Sequence, residues 1–318
     1  MPHTSQSPNF PYHWTAYYSG FILRKSDTSG LTYPSRSPLI AIMPSPLLTY
    51  YSAWFCPYAH RATIALSHHA ASVSYKWVEA LGWEKRPSED ANTRAQTGEP
   101  EHDSYYHWKH PDLLRITDGE GLIPTFQDEK GRVVKESLMA VEYVDDLASA
   151  VGDPATRNTP LLPADPAERA RCRWAAEWAN KKMCSPYYTM LVRTDVDERR
   201  RAFDELLESL AWWGSQRQGT FYCGDTLSAA DIAPLPWAAR YYILEHYRNF
   251  VIPRDDAQLA GFHEWRDAAL ALPTVASTLP DRDRYLDHIA KYADASARSK
   301  VANAVRSGRG AHDLQEDD

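Results

Sequence analysis

Between residues 47 and 79 the spacing of apolar positions changes twice. "LLTYYSA" at 47–53 is rich in aromatic residues and reads as a strand. From Pro57 to about Ala71 the period becomes helical, with Ala62, Ala65, Leu66 and Ala70 on one face. Pro57 suits the first helical turn, where its missing N–H costs nothing. "VSYKWVE" at 73–79 alternates and reads as a second strand, so the segment opens as a βαβ unit. Residues 81–115 are rich in Glu, His, Asn and Pro and show little periodicity. They read as a long excursion with room for one short helix. "LIPTFQDEKGRVVKES" at 122–137 predicts a hairpin turning at "DEKGR", where Gly131 tolerates positive φ. "SLMAVEYVDDLAS" at 137–149 predicts a helix with Leu138, Val141 and Val144 inward and Ser137 as its cap.

Beyond the turn-rich "GDPATRNTPLLPADP" at 152–166 the pattern is helical, near 166–191, 197–217, 228–247 and 257–271. The expected organisation has four parts: an extension at 1–38, an α/β domain at 39–151, an all-helical domain at 164–275 and a partly flexible extension at 276–318. In the first extension Trp14, Tyr17, Tyr18 and Phe21 argue for some packing. The tail "RSGRGAHDLQEDD" is charged and expected to fray.

Composition removes several classes of function. The chain has 318 residues, enough for two cores, and its net charge of -7 gives no general attraction to nucleic acid or anionic lipid. Four cysteines, none at metal-ligand spacing, are too few for a disulfide scaffold and fit a reducing compartment. No signal-peptide pattern opens the chain, and prolines break the apolar run at 38–55, so a cytoplasmic protein without a membrane segment is expected. No HExxH motif, Cys/His cluster or glycine-rich nucleotide loop occurs, so no metal is expected.

The chemistry centres on Cys56 in "AWFCPYAHR". It falls where a strand feeds a helix, and the orphan N–H groups and the dipole of a helix start favour a thiolate there. A lowered pKa and a reactive role follow, against the alternative of a buried structural thiol. Position 59 is alanine, so no resolving thiol sits at CxxC spacing. Pro124 directly precedes a strand. It is either an ordinary strand-start proline or a cis proline that presents the Ile123 backbone to an extended ligand. Glu136 and Ser137 end a strand and start a helix, which suits either a plain cap or an α-amino acid head group, with Ser137 at the carboxylate and Glu136 at the amine. His60 lies one turn after Cys56 and reads as packed or solvated more readily than as a base. In "DTLSAADIA", Ser228 and Asp231 form a capping box, a structural device.

"FCPYAHR" at 55–61, "LIPTF" at 122–126, "KESLMAVEYVDD" at 135–146 and "LSAADIAPLPWAAR" at 227–240 together resemble the cytosolic glutathione transferases, most nearly the omega class or its fungal omega-like relatives. The resemblance spans about 45–275. It implies a thioredoxin-like α/β domain followed by an all-α domain, a homodimer, and glutathione as co-substrate. Carried over, Cys56 forms a mixed disulfide with glutathione, Ile123 pairs with its cysteinyl part, and Glu136 and Ser137 hold the γ-glutamyl end. Phe55, Pro57 and Pro124 complete that wall, and Lys109 matches a lysine at the glycyl end. The second-substrate site implied for a small apolar or disulfide compound draws its candidates from Tyr58, Trp174, Trp178, Trp237 and Tyr241, although the ordinary place for such rings is a core. Pro236 should kink the helix that carries Trp237. Three readings of function follow: thiol transfer or dehydroascorbate-type reduction through Cys56, conjugation of glutathione to an aromatic electrophile, and a ligand-binding protein without catalysis. The first 38 residues, the length of 81–115 and the long loop "HPDLLRITDGEGLIP" have no counterpart in the compact family domain.

Overall fold

The computed structural model describes residues 47–87, 103–151 and 158–315. The expected N-terminal extension with its aromatics, the middle of the excursion and the last three residues lie outside them.

The first strand, β1 (Leu47–Ser52), leads through Ala53–Cys56 into α1 (Pro57–His68) and then β2 (Ser74–Glu79). β1 pairs parallel with β2 and antiparallel with β5 (Thr125–Gln127), which pairs antiparallel with β6 (Val133–Val134). The sheet order β2-β1-β5-β6 is thioredoxin-like. Gly131 turns the hairpin at φ +78, as its position required. α3 (Ser137–Val151) follows and packs on α1. Ile64 and Leu66 of α1 and Val141 and Val144 of α3 are buried, each contributing about 1.5–3 kcal/mol.

The excursion is a second sheet. β3 (Leu81–Pro87) and β4 (Asp103–Lys109) form an antiparallel hairpin, and α2 (Pro111–Ile116) follows. β4 also pairs in parallel with β7 (Ala297–Arg298), from near the end of the chain. The segment beyond 275, expected to be partly flexible, instead carries α12 (Arg282–Ala293), β7 and α13 (Lys300–Arg306), with Ala311 buried.

The helical part begins with α4 (Pro166–Ala179), capped by Asp165, whose carboxylate accepts from Ala167 and Glu168. The pattern read as one helix at 166–191 is broken by a π-helical turn at Asn180–Cys184, after which α5 (Ser185–Val192) continues. α6 (Val196–Ser215) crosses α10 (Ala260–Ala271) where Gly214 faces Gly261, and a Cβ on Gly214 would sit 2.5 Å from the Phe262 nitrogen. The helix expected at 228–247 is three short ones: α7 (Ala229–Ile232), α8 (Leu235–Ala238) and α9 (Tyr242–Arg248). Pro234 and Pro236 account for the breaks. α11 (Pro273–Ala276) joins α10 to the terminal segment.

Two carboxylates stitch these parts together. Asp145 of α3 accepts from the N–H groups of Leu161 (2.8 Å) and Leu162 (3.1 Å) and pairs with His69 at 2.8 Å. Asp231 completes the expected capping box with Ser228 and also accepts from Tyr222 N–H and Trp265 Nε1–H. No helix among the described residues is long and apolar enough to cross a membrane.

Candidate active site

A cleft of about 670 Å³ opens over the start of α1. Phe55, Cys56, Pro57, Tyr58, Lys109, Ile123, Pro124, Glu136 and Ser137 all line it, so the residues singled out near the motifs come from five chain segments to one wall.

Cys56 is the N-cap of α1, in extended backbone (φ -76, ψ 117), and only partly buried. The N–H groups of Tyr58 and Ala59 favour its thiolate, as do the more distant Arg240 and Arg61. Burial outweighs them and pushes the thiol up. The lowered pKa expected from the helix start is therefore overturned, because a mostly enclosed sulfur loses more solvation than the first turn returns. Tyr285 from α12 donates to the Phe55 carbonyl (3.0 Å), and Tyr58 donates to the Ala311 carbonyl (3.2 Å), which ties the terminal segment to both neighbours of Cys56.

The Ile123–Pro124 peptide is cis. Glu136 has φ +69, is exposed, and takes the cap position, its carbonyl accepting from Ala140 N–H (2.8 Å). Ser137 is therefore the first helical residue and not the expected cap. Its Oγ accepts from Arg61 Nη1 (2.9 Å), which leaves the hydroxyl proton for a partner in the cleft. Lys109 is half-buried, and its Nζ donates to the Glu120 carbonyl (2.8 Å). Burial lowers its pKa, and Lys300 lowers it further.

Arg61 was not singled out from the sequence, yet it lies at the centre of this wall. It is 1% exposed, donates from Nε to the Ala233 carbonyl (2.8 Å) and from Nη2 to Asn180 Oδ1 (2.9 Å), and its guanidinium lies 4.6 Å from the Trp237 ring centroid. A signal was present: counted from Pro57, position 61 falls on the inward face of α1. His60 is buried and does not line the cleft. Arg240 Nη1 donates to its Nδ1 (3.0 Å), its Nε2 meets Thr278 Oγ1 (2.8 Å), and burial keeps its pKa well below the usual value.

Of the second-substrate candidates, only Tyr58 reaches the cleft. Trp174 is 54% exposed and meets Trp212 edge-on, while Trp178 packs on Trp212 at 4.0 Å. Trp237 is fully buried beneath Arg61, and Tyr241 is core, its hydroxyl donating to the Met183 carbonyl (2.9 Å). The rings over Cys56 come from elsewhere. Tyr106 and His107 are on β4, Tyr188 on α5, and Tyr285, His288 and Tyr292 on α12. The α12 rings carried a readable signal, since 285, 288 and 292 have helical spacing. Tyr105–Trp108 is unbroken aromatic and gave none. The ring of His288 stacks on Phe55 at 4.0 Å, and its Nε2 accepts from Trp83 Nε1 (3.2 Å). Burial, ahead of nearby cations, brings the pKa of His107 and of His288 down to about 3, so both are neutral.

Residues 55–147 match the family model for the glutathione S-transferase N-terminal domain, and 196–268 match that for its C-terminal domain. Probable glutathione S-transferase parC of Nicotiana tabacum is 26% identical over 57% of this chain and 77% of its own length. Among solved structures, glutathione transferase Omega 3C from Trametes versicolor superposes with TM-score 0.59 at 22% identity, covering 78% of this chain and 91% of that one. The Tau class glutathione S-transferase of mango, Mangifera indica, superposes with TM-score 0.57 at 20% identity, covering 77% and 98%. The chain belongs to the cytosolic glutathione transferase superfamily and has its fold.

Proposed function

We propose that this member of the cytosolic glutathione transferase superfamily is an omega-like, cysteine-type thiol transferase, which removes glutathione from small disulfides or glutathionylated aromatic compounds. The observation that carries the reading is a cysteine sulfur at the start of α1, in one cleft with Ile123, Glu136 and Ser137. Glutathione lies along Ile123, its γ-glutamyl carboxylate taking the Ser137 hydroxyl proton. The Cys56 thiolate attacks the glutathione sulfur of the bound adduct. A Cys56–glutathione disulfide forms as the bond to the leaving group breaks, and the leaving group departs with the electron pair and takes up a proton. The thiolate of a second glutathione then attacks the mixed disulfide, giving glutathione disulfide and the Cys56 thiolate. That second thiol comes from solution, because residue 59 is alanine and Cys172, Cys184 and Cys223 do not line the cleft. The five tyrosines Tyr58, Tyr106, Tyr188, Tyr285 and Tyr292 favour a flat aromatic leaving group.

A second reading is conjugation, and one observation favours it. Burial pushes the Cys56 thiol up, and a protonated thiol donates a hydrogen bond to a bound glutathione thiolate instead of exchanging with a disulfide. Cys56→Ser separates the two. Under the first reading the variant loses thiol transfer, and the wild type shows ping-pong kinetics and a trapped adduct one glutathione heavier. A serine variant that keeps thiol transfer, or a wild type whose conjugation of an aromatic electrophile far outruns it, moves the assignment to conjugation.

A further inference from the structure

The hairpin of β3 and β4 and the segment beyond 275 both lie at or past the edges of what the two family models match in the helical part and in length, yet both line the cleft. They are joined to each other. β4 and β7 run parallel, with Tyr105 level with Ala297 and Tyr106 level with Arg298. Lys109 lies three residues beyond Tyr106, and Lys300 two residues beyond Arg298, so both ammonium-bearing residues leave the strand pair at the same end. Both line the cleft.

The surroundings of Lys109 fix where that end is. Its Nζ bonds the Glu120 carbonyl, and its side chain covers Gly121, so close that a Cβ there would sit 2.5 Å from Lys109 Cδ. Gly121 is two residues before Ile123, whereas Glu136 and Ser137 begin a helix elsewhere on the cleft wall. The other cations of that wall are engaged. Lys135 pairs with the Glu120 carboxylate at 2.6 Å, Arg86 lies 3.9 Å from the Tyr106 ring centroid, and Arg298 Nη1 donates to the Ala295 carbonyl (2.7 Å). Lys300 Nζ lies 3.5 Å from the Gln315 carbonyl, a neutral and long contact. Two ammonium groups near enough to disfavour one another, facing one cavity, are stabilised by an anion between them.

We propose that Lys300 acts with Lys109 to hold the glycyl carboxylate of glutathione, so that the terminal segment beyond the family domains supplies a positioning residue for the co-substrate. The proposal rests on the pose above, with the cysteinyl part along Ile123 and the sulfur at Cys56. A tripeptide in that pose with its γ-glutamyl end at Ser137 directs its glycine towards Leu122, Gly121 and the two lysines. Lys300 makes no contact with the sulfur, so its role is in binding and not in the chemical step.

The test uses the full chain carrying Cys56→Ser, which removes thiol exchange and makes the result independent of the reading of the reaction. Calorimetry compares glutathione with γ-glutamylcysteine, which lacks the glycine. With Lys300 intact, glutathione binds more tightly. Lys300→Ala should weaken glutathione by about tenfold, the size of one charge-assisted hydrogen bond, and leave γ-glutamylcysteine within about twofold. Lys300→Arg should restore most of the loss. Equal weakening of both peptides would reduce Lys300 to a structural or long-range role and overturn the proposal. So would unchanged glutathione affinity, and a preference that shifts only for carboxylated second substrates would assign the lysine to them instead. Thermal melts of each variant check that the fold is kept.

Discussion

Arg61 should be the most costly polar side chain to remove from the described structure. Replacing it with methionine fills much of the same volume but strands three acceptors: the Ala233 carbonyl, Ser137 Oγ and Asn180 Oδ1. A buried polar group without a partner costs about 1–3 kcal/mol. Two of the three have an escape, because Ser137 and Asn180 line the cleft and reach water there. The Ala233 carbonyl keeps only a long contact from the Cys184 thiol (3.7 Å). Against these losses stands the desolvation of the guanidinium, which the variant no longer bears. The balance is a destabilisation of about 2–4 kcal/mol. Arg61→Lys should recover little of it, since one ammonium cannot reach acceptors on α3, at the π turn and after α7 together. Urea denaturation followed by tryptophan fluorescence measures it, and glutathione binding to the same variants reports on Ser137. A loss under about 1 kcal/mol in Arg61→Met, or full rescue by lysine, would refute the claim that this fan of hydrogen bonds joins α1 to the helical part.

Iodoacetamide labelling of the unliganded protein against pH should give Cys56 a midpoint above the value of about 8.5 for a free cysteine, and Arg240→Met should move it higher still. A midpoint below the free value would mean that the helix start outweighs burial after all. His107 and His288 predict an acid sensitivity. Their folded pKa values of about 3 lie below that of the unfolded chain, so the unfolded state takes up protons first as pH falls. The stability they confer is full above about pH 6.5 and drains between there and about pH 3, by roughly 2 kcal/mol each by pH 5. The loss of stability between pH 7 and pH 5 should therefore shrink in His107→Phe with His288→Gln, where the glutamine oxygen can still accept from Trp83. An unchanged loss would place the acid sensitivity elsewhere.

How far the sequence could be read depended on whether a residue's partner lay nearby in the chain. β1, α1 and β2 were legible because each buries one face and so carries its own period. Cys56, Pro124 and Glu136–Ser137 were legible because they mark the junctions between such elements. The β3–β4 hairpin was not, because most of β3 is exposed and its apolar residues meet partners some two hundred positions away, as Trp83 meets His288. The terminal segment looked flexible for a related reason. Its charge and glycines dominate locally, while Ala297 and Arg298 are ordered by a strand that the sequence does not announce. The thiol's pKa failed differently. A helix start is visible in sequence, but the rings that enclose the sulfur are not, and their effect is the larger one.

The π turn at Asn180–Cys184 decides which rings meet a substrate. In one unbroken α-helix Tyr188 would point within about 40° of Trp174, and both would serve the same face. A π turn holds one residue more than the α-helical turn it replaces and rotates everything after it by about 100°. Upstream of it, Trp174 and Trp178 go to Trp212, while downstream Tyr188 goes to the cleft, its ring parallel to that of Tyr58 at 6.4 Å. Specificity here is partly a matter of phase. Deleting a single residue from the turn would change no chemical group in the pocket wall, yet it would dial a different side of the helix over Cys56, as one tooth's slip on a gear re-times every part beyond it.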